Sequence, residues 1–209
     1  MQRRVYTNDE GWLLSYADLI TNLLVFFAII VSVSDVSRSQ MQKVAERLSG
    51  VEQPQSLRSI QKEIDARIEA EGLQELIRTD LTDDGLEVAL NSGVVFDSGS
   101  AVIRAEHSPL LTSMLETMAP YSGRYDFAVE GHTDSTPIVN GNGHYPTNWE
   151  LSTGRANAVR ARLEDVGVEQ EGIRVEGYAD TVVLPEDDLE GLTEEERLAR
   201  HRRVVVRIY

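Results

Sequence analysis

The chain has 209 residues, a net charge of −15 at pH 7 and no cysteine. This acidic excess argues against a nucleic-acid-binding protein, because phosphate contacts need a basic surface. The acidic excess also argues against docking on anionic lipid headgroups. The absence of cysteine means that the sequence does not indicate the redox compartment.

The N-terminal part of the chain contains one long apolar segment, from Trp12 to Val33, and Asp18 is the single charged residue from Gly11 to Ser34. About 24 residues form a helix of roughly 36 Å, enough to cross a hydrocarbon core of about 30 Å. We therefore predict a transmembrane helix over residues 12–34. A buried core helix is a poor alternative because the segment is too long and unbroken. A signal peptide is another, but its apolar region would be shorter and would lack an aspartate.

The polar residues of this segment share one helical face. Ser15, Asp18 and Asn22 are spaced three and four apart, with Thr21 beside them. A carboxylate at this depth costs about 2.5–3.5 kcal/mol even on the lenient insertion scale. We expect Asp18 to face a partner helix or a water-filled path, which makes it a candidate proton or ion site.

The same segment resembles the membrane helix of MotB-type stator subunits. The matching residues are Trp12, Tyr16-Ala17-Asp18-Leu19, Thr21 and the Phe26-Phe27 pair. The resemblance implies that Asp18, with Thr21, takes up and releases the coupling ion. Asn22 stands where the family has a small or apolar residue, so both H⁺ and Na⁺ remain possible coupling ions.

The segment after the membrane helix is polar and is predicted to be helical in two parts. Met41, Val44 and Leu48 recur at helical spacing, and residues 50–54 break the pattern. A second helix is predicted over residues 56–76, with an interruption at Gly72. We assign residues 35–80 to a helical linker. The resemblance implies that residues 35–50 plug the ion path, and a solvated linker is the alternative.

The remaining residues, 81–209, are predicted to form one folded domain. Strands are expected at 86–90, 125–130, 173–177 and 203–209, with a strand end and loop at 94–100. Helices are expected at 108–119, 149–166 and 193–200. Strands alternating with helices predict an α/β sandwich of one sheet and one helical layer.

Two motifs in this domain resemble the OmpA-like peptidoglycan-binding domain. They are Val129-Glu130-Gly131-His132-Thr133-Asp134, and Asn148-Trp149-Glu150-Leu151-Ser152 followed by Arg155-Ala156. The likeness spans about Leu86 to Tyr209, and the Pro137-Ile138 pair favours the MotB branch. The implied fold is thus a single N-terminal transmembrane helix followed by an α/β, OmpA-like periplasmic domain.

The resemblance also implies a site for the zwitterionic end of diaminopimelate, a cross-linking amino acid of cell walls. Asp134 would accept the ammonium, and Arg155 would bind the carboxylate with its planar fork. Thr133, Asn148 and Leu151 would line the site. Near the C-terminus the chain departs from the family pattern at Val183, Leu198 and His201 but keeps Arg202, Arg203 and Val204.

Other chemistries are weaker interpretations of the same residues. Glu130, His132 and Asp134 alternate as metal ligands could, but no second ligand cluster accompanies them. Ser135 and Ser152 lack the frame of a hydrolase nucleophile. The acidic run 185–190 is predicted to be a solvated loop rather than a calcium site. We therefore predict no catalytic site, no metal site and no enzyme activity, and a hydrogen-bonded structural role for His132.

Together, these features predict an ion-driven motor stator subunit in the bacterial inner membrane. The resemblance implies a homodimer inside a ring of five MotA-like membrane proteins, with no cofactor beyond the coupling H⁺ or Na⁺. Charges flanking the span are balanced, so a cytoplasmic tail (1–11) and a periplasmic domain rest on tail length and the resemblance. Alternatives are a passive membrane-to-wall anchor and a non-flagellar motor, such as a phage-defence complex.

Overall fold

The computed structural model describes residues 11–33, 56–138 and 145–209. It contains two compact units, a long N-terminal helix and a C-terminal domain whose described part begins at residue 56. The predicted cytoplasmic tail and the predicted plug segment, residues 35–50, lie outside the described residues.

The N-terminal unit is the helix α1, Gly11–Val33. Residues Trp12–Ile30 have a mean hydropathy of 2.0 and are long and apolar enough to cross a membrane. Its side chains from residue 12 to residue 30 are exposed, including large groups such as Leu14 and Leu24. So much exposed apolar surface requires a cover of lipid or partner helices.

The C-terminal unit is an α/β domain. In chain order its elements are α2 (Leu57–Glu71), β1 (Ile77–Leu81), β2 (Leu86–Asn91), α3 (Ser92–Val95), α4 (Ser108–Met118), β3 (Phe127–His132), α5 (Asn148–Asp165), β4 (Ile173–Ala179), α6 (Glu194–His201) and β5 (Arg203–Ile208). The acidic run predicted as a solvated loop contains a short 3-10 turn, Glu186–Leu189, with Leu189 buried.

The five strands form one sheet in the order β1-β2-β5-β3-β4. Neighbouring strands are antiparallel except for the parallel pair β3 and β4. The register aligns Val88, Val206 and Val129 across three strands, and all three belong to the core. Helices α2, α4 and α5 pack beside one another, with α2 against β1 and α5 against β3 and β4. The predicted sandwich of one sheet and one helical layer is therefore confirmed.

Helix α5 lies unusually close to the sheet at its N-terminal end. A Cβ atom added at Gly131 would meet the carbonyl oxygen of Ser152 at 2.0 Å, and one added at Gly177 would meet Oγ1 of Thr153 at 2.0 Å. The helix begins after a capping box formed by Thr147 and Glu150. These features hold the first turns of α5 directly over the ends of β3 and β4.

The folded domain begins earlier than we predicted. Four apolar residues of α2 (Leu57, Ile60, Ile64 and Ile68) are buried in the core of the domain, so this helix belongs to the fold and not to a linker. We also missed β1, since two charged residues within five obscure its pattern. Residues 92–95 form a helical turn rather than a strand end, with Asn91 capping the turn.

Candidate functional site

The predicted ion-site residues lie on the exposed surface of α1. The hydroxyl of Thr21 donates to the carbonyl oxygen of Ala17 at 2.9 Å and lies 3.0 Å from that of Asp18. Its proton is thus used by the helix backbone, which leaves the oxygen lone pairs for a ligand. Asp18 is the single Asp, Glu, Lys, Arg or His residue on α1.

The predicted wall-binding residues Thr133 and Asp134 follow the last residue of β3 and are buried. The amide of Thr133 donates to the carbonyl of Ala179 at 2.8 Å, which fixes the chain beside the end of β4. Its hydroxyl is buried without a hydrogen-bond partner among the described residues. A buried, unpaired hydroxyl beside a carboxylate can serve a ligand.

Helix α5 supports the loop that carries Asp134. Oδ1 of Asp134 accepts from the amide of Thr136 at 3.0 Å. The side-chain amide of Asn148 donates to the carbonyl oxygens of Asp134 and Thr136, at 3.2 and 3.1 Å. Asn148 therefore holds the loop by its backbone, and Leu151 lies buried one turn further along the helix.

Arg155 is buried beneath a second loop rather than projecting into open solvent. Its Nε donates to the carbonyl of Ser100 at 2.9 Å and its Nη2 to that of Asp97 at 3.2 Å. The guanidinium lies 5.4 Å from the ring centre of Phe96. Part of the fork assigned to a ligand carboxylate is therefore already used to hold residues 97–100.

The charges around Arg155 identify its neighbours. Burial lowers the pKa of Arg155 to about 10, and the nearby charge of Arg202 lowers it as well, whereas Asp134 and Tyr145 oppose the shift. The group stays protonated at neutral pH. Asp134, Arg202 and Tyr145 therefore lie close enough to Arg155 for their charges to act on it.

Arg202 is the main residue that our sequence reasoning left out of the site. Its Nη1 donates to Oδ2 of Asp134 at 2.6 Å. The sequence did mark Arg202 as a candidate, because it is one of the residues kept in the family pattern. Nothing in the sequence indicated which group it would bind. Arg155 donates to the backbone carbonyls of Ser100 and Asp97. Because these contacts use backbone atoms, the side-chain pattern of the sequence could not predict them.

The competing chemistries find little support in the geometry. Among residues 11–33, 56–138 and 145–209, no three His, Cys, Asp or Glu side chains are grouped to hold a metal ion. The hydroxyl of Ser152 donates to the carbonyl of Trp149 at 3.0 Å and accepts from the amide of Ala179 at 3.2 Å. It is thus part of the frame between α5 and β4.

His132 is buried, as a structural residue should be, but the predicted hydrogen bonds are wrong. Within the part of the chain that the structure describes, neither ring nitrogen has a hydrogen-bond partner, and Nε2 lies 3.6 Å from Oε2 of Glu130. The ring instead stacks on Tyr178 with 5.3 Å between the ring centres. Burial lowers the pKa of His132, more than the nearby Glu130 raises it.

Two family models match the chain, each over a different part. The OmpA family model matches residues 95–197. The model described as membrane MotB of the proton-channel complex MotA/MotB matches residues 3–51. The first match contains Asp134 and Arg155, and the second contains Asp18.

Known proteins of similar sequence or structure agree with these matches. Motility protein B of Bacillus subtilis is 24% identical over 216 residues, covering 82% of each chain. A MotB-like protein from Desulfovibrio vulgaris has a TM-score of 0.61 at 21% identity, over 73% of this chain and 90% of that one. The cell wall anchor of the T6SS from Pseudomonas aeruginosa has a TM-score of 0.59 at 25% identity, over 70% of this chain and 96% of that one.

These findings agree on the order of the two parts of the chain. An apolar helix with a single carboxylate precedes an α/β domain whose fold is that of MotB-like structures. Proteins of this kind are stator and anchor proteins rather than enzymes. The chain therefore belongs to the MotB-type stator subunits with an OmpA-like domain.

Proposed function

We propose that this chain is an ion-driven stator subunit in which Asp18 carries the coupling ion. The observation that carries this proposal is one carboxylate on a helix of mean hydropathy 2.0. Such a group is costly in a membrane, so its presence there points to a function. The match of residues 3–51 to a proton-channel component supports the same assignment.

In this proposal, Asp18 alternates between a neutral, ion-bound form and an ionised form. The neutral form tolerates an apolar contact with a partner helix, whereas the ionised form needs water or a positive partner. Each ion transfer therefore changes the relative stability of two arrangements of the complex. Thr21, and the amide of Asn22 on the same face, supply oxygen atoms that suit either H⁺ transfer or Na⁺ coordination.

The partner set follows from the family. We infer that two copies of this chain place their α1 helices inside a ring of five MotA-like subunits. The proposed topology is a single pass through the inner membrane with the N-terminus in the cytoplasm. The domain from residue 56 onwards is then periplasmic, where it can reach the wall.

We further propose that this domain holds peptidoglycan through Asp134 and Arg155. The carboxylate suits the ammonium of diaminopimelate, and the guanidinium suits its carboxylate. Thr133, Asn148 and Leu151 frame the ligand. A stator held in this way gives the moving partner ring a fixed point to turn against.

A passive anchor is the second candidate function. The observation that favours it is the likeness of the outer domain to a T6SS cell wall anchor. An anchor without energy conversion has no use for a carboxylate in its membrane helix, so the two functions predict different behaviour of an Asp18 variant.

Ion uptake by the assembled complex tests the proposal. The chain, with residues 35–50 deleted to remove the proposed plug, is co-expressed with its MotA-like partner. Cells with wild-type Asp18 should take up protons or sodium ions, and those carrying Asp18→Asn should not. Leu24→Ala, on another face of α1, is the matched control and should keep the uptake. Equal uptake by Asp18→Asn and wild type would reject the ion site.

A further inference from the structure

We propose that Arg202 determines which wall peptides the site accepts, by exchanging Asp134 for a carboxylate of the ligand. When the ammonium of the ligand binds Asp134, the released guanidinium of Arg202 would bind the ligand's carboxylate together with Arg155. This inference rests on the proposed wall-binding function and identifies the class of ligand as a centre that carries both charges.

The carboxylate of Asp134 is already occupied in the ligand-free domain. Its side chain is only 8% exposed, Oδ2 bonds Arg202 at 2.6 Å, and Oδ1 bonds the amide of Thr136 at 3.0 Å. A ligand ammonium must therefore compete with a guanidinium. Displacing Arg202 leaves a charged group without its partner, which costs free energy unless the ligand provides a replacement.

Arg155 alone is poorly placed to bind the ligand's carboxylate. It is 4% exposed, and its Nε and Nη2 already donate to the carbonyls of Ser100 and Asp97. Three N–H groups remain on Nη1 and Nη2, but they belong to a buried side chain, so a ligand's carboxylate gains from a more exposed donor nearby. Arg202 meets this need, because it bonds Asp134 at 2.6 Å and lies close enough to Arg155 for its charge to lower the pKa of that group. A carboxylate placed between them would also relieve their mutual repulsion.

Arg202 has room to change partners. Its side chain is 34% exposed, against 8% for Asp134. Arg202 also lines a cavity of about 630 Å³, together with residues such as Asn91 and Glu196. The guanidinium can thus leave Asp134 without a rearrangement of the buried core.

The exchange explains how the site would discriminate among wall peptides. A ligand with an ammonium alone releases Arg202 and leaves it unpaired. A ligand with a carboxylate alone gives nothing to Asp134. A zwitterionic centre satisfies both, so it is favoured over either half.

Binding of two peptides that differ in one group tests this inference. The probes are a wall tripeptide ending in meso-diaminopimelate and the same peptide with the side-chain carboxylate amidated. Their Kd values are measured by calorimetry on the full-length chain in detergent, as wild type and as Arg202→Met. Arg197→Met is the matched control, since Arg197 is 32% exposed and pairs with Glu186 at 3.1 Å.

We expect wild type and Arg197→Met to prefer the acid form by about tenfold or more, as sites built for a polar group do. Arg202→Met should bind the acid form more weakly and reduce the preference to about threefold or less. Should Arg202→Met fail to fold by circular dichroism, Arg202→Lys replaces it. Lysine keeps the charge but loses the fork, and the preference should again fall.

An equal loss of both affinities in the Arg202 variant would overturn the inference, since Arg202 would then only position Asp134. An unchanged preference would overturn it too. A wild-type chain that binds neither peptide nor peptidoglycan sacculi would instead remove the wall-binding function itself, and the inference with it.

Discussion

At the scale of single residues, the proposed wall site depends on charges that hold one another in place. Asp134 and Arg155 lie in one site, yet each already has internal partners: Arg202 for the carboxylate, and loop carbonyls for the guanidinium. A substitution at either residue therefore changes both the ligand contacts and the local structure. Variants that preserve shape are needed to separate the two effects.

Asp134→Asn keeps the size of the side chain and removes its charge. We expect the full-length variant to sediment with peptidoglycan sacculi at least about tenfold less than wild type, because a charged hydrogen bond is worth about 1.5–3 kcal/mol. Asp84→Asn, an exposed carboxylate in the turn before β2, is the control and should bind normally. Normal binding by Asp134→Asn would show that the assigned carboxylate does not hold the wall.

Arg155→Ala should reduce stability as well as wall binding. It removes two charge-assisted hydrogen bonds from a buried guanidinium and frees residues 97–100. We expect a loss of about 2–3 kcal/mol in the free energy of unfolding, measured with urea. Arg162→Ala on the half-exposed side of α5 should change stability by less than about 0.5 kcal/mol. A variant as stable as wild type would contradict the structural role of Arg155.

At the scale of elements, the contact between α5 and the sheet sets the position of the site. Gly131 lies under the backbone of Ser152, and Gly177 lies under the side chain of Thr153. The two glycines therefore face obstacles of different kinds. A backbone carbonyl in a helix cannot move aside, whereas a threonine side chain can be shortened by mutation.

Gly131→Ala should destabilise the domain by about 1–3 kcal/mol through overpacking. Gly177→Ala should also destabilise it, and the second substitution Thr153→Ala should restore part of that loss. Gly123→Ala, whose added methyl meets nothing within 4 Å, is the control. Thermal unfolding measures all four variants. Full stability of Gly131→Ala would disprove the close approach of α5.

The sequence predicts these elements best where the hydrophobic periodicity and the capping residues indicate the same element. Residues 86–90, 173–177 and 203–209 were predicted as strands, and Thr193 as the start of a helix, as the structure has them. The element β1 was missed because its pairing with β2 decides its conformation more than its own pattern does. The contacts of Arg202 were equally hidden, since they join positions 68 residues apart.

At the scale of the whole domain, stability should depend on pH through His132. Its pKa in the fold is below 6.5, so the unfolded chain binds a proton more readily. The free energy of unfolding should therefore fall as the pH drops from about 7 to about 5. The facing charged groups are Glu130, Arg203 and Arg207, and the stacked ring is Tyr178.

Replacing His132 with phenylalanine keeps a ring on Tyr178 and removes the titration. Urea unfolding of this variant should show a smaller loss of stability between pH 7 and pH 5 than wild type. His107→Gln, at the half-exposed start of α4, is the matched control for loss of an imidazole outside the core. If His132→Phe kept the full wild-type slope, the buried imidazole would not be its source.

The most direct measurement of the central claim is complementation of a strain lacking the gene. Wild type and Asp18→Asn are restored in parallel, and swimming and phage plating are scored side by side. The ion-driven stator predicts that wild type restores the lost trait and that Asp18→Asn, although present in the membrane, does not. Loss of swimming identifies a flagellar motor, and a change in phage plating alone identifies a non-flagellar one. Full rescue by Asp18→Asn would contradict the account and leave a passive wall anchor.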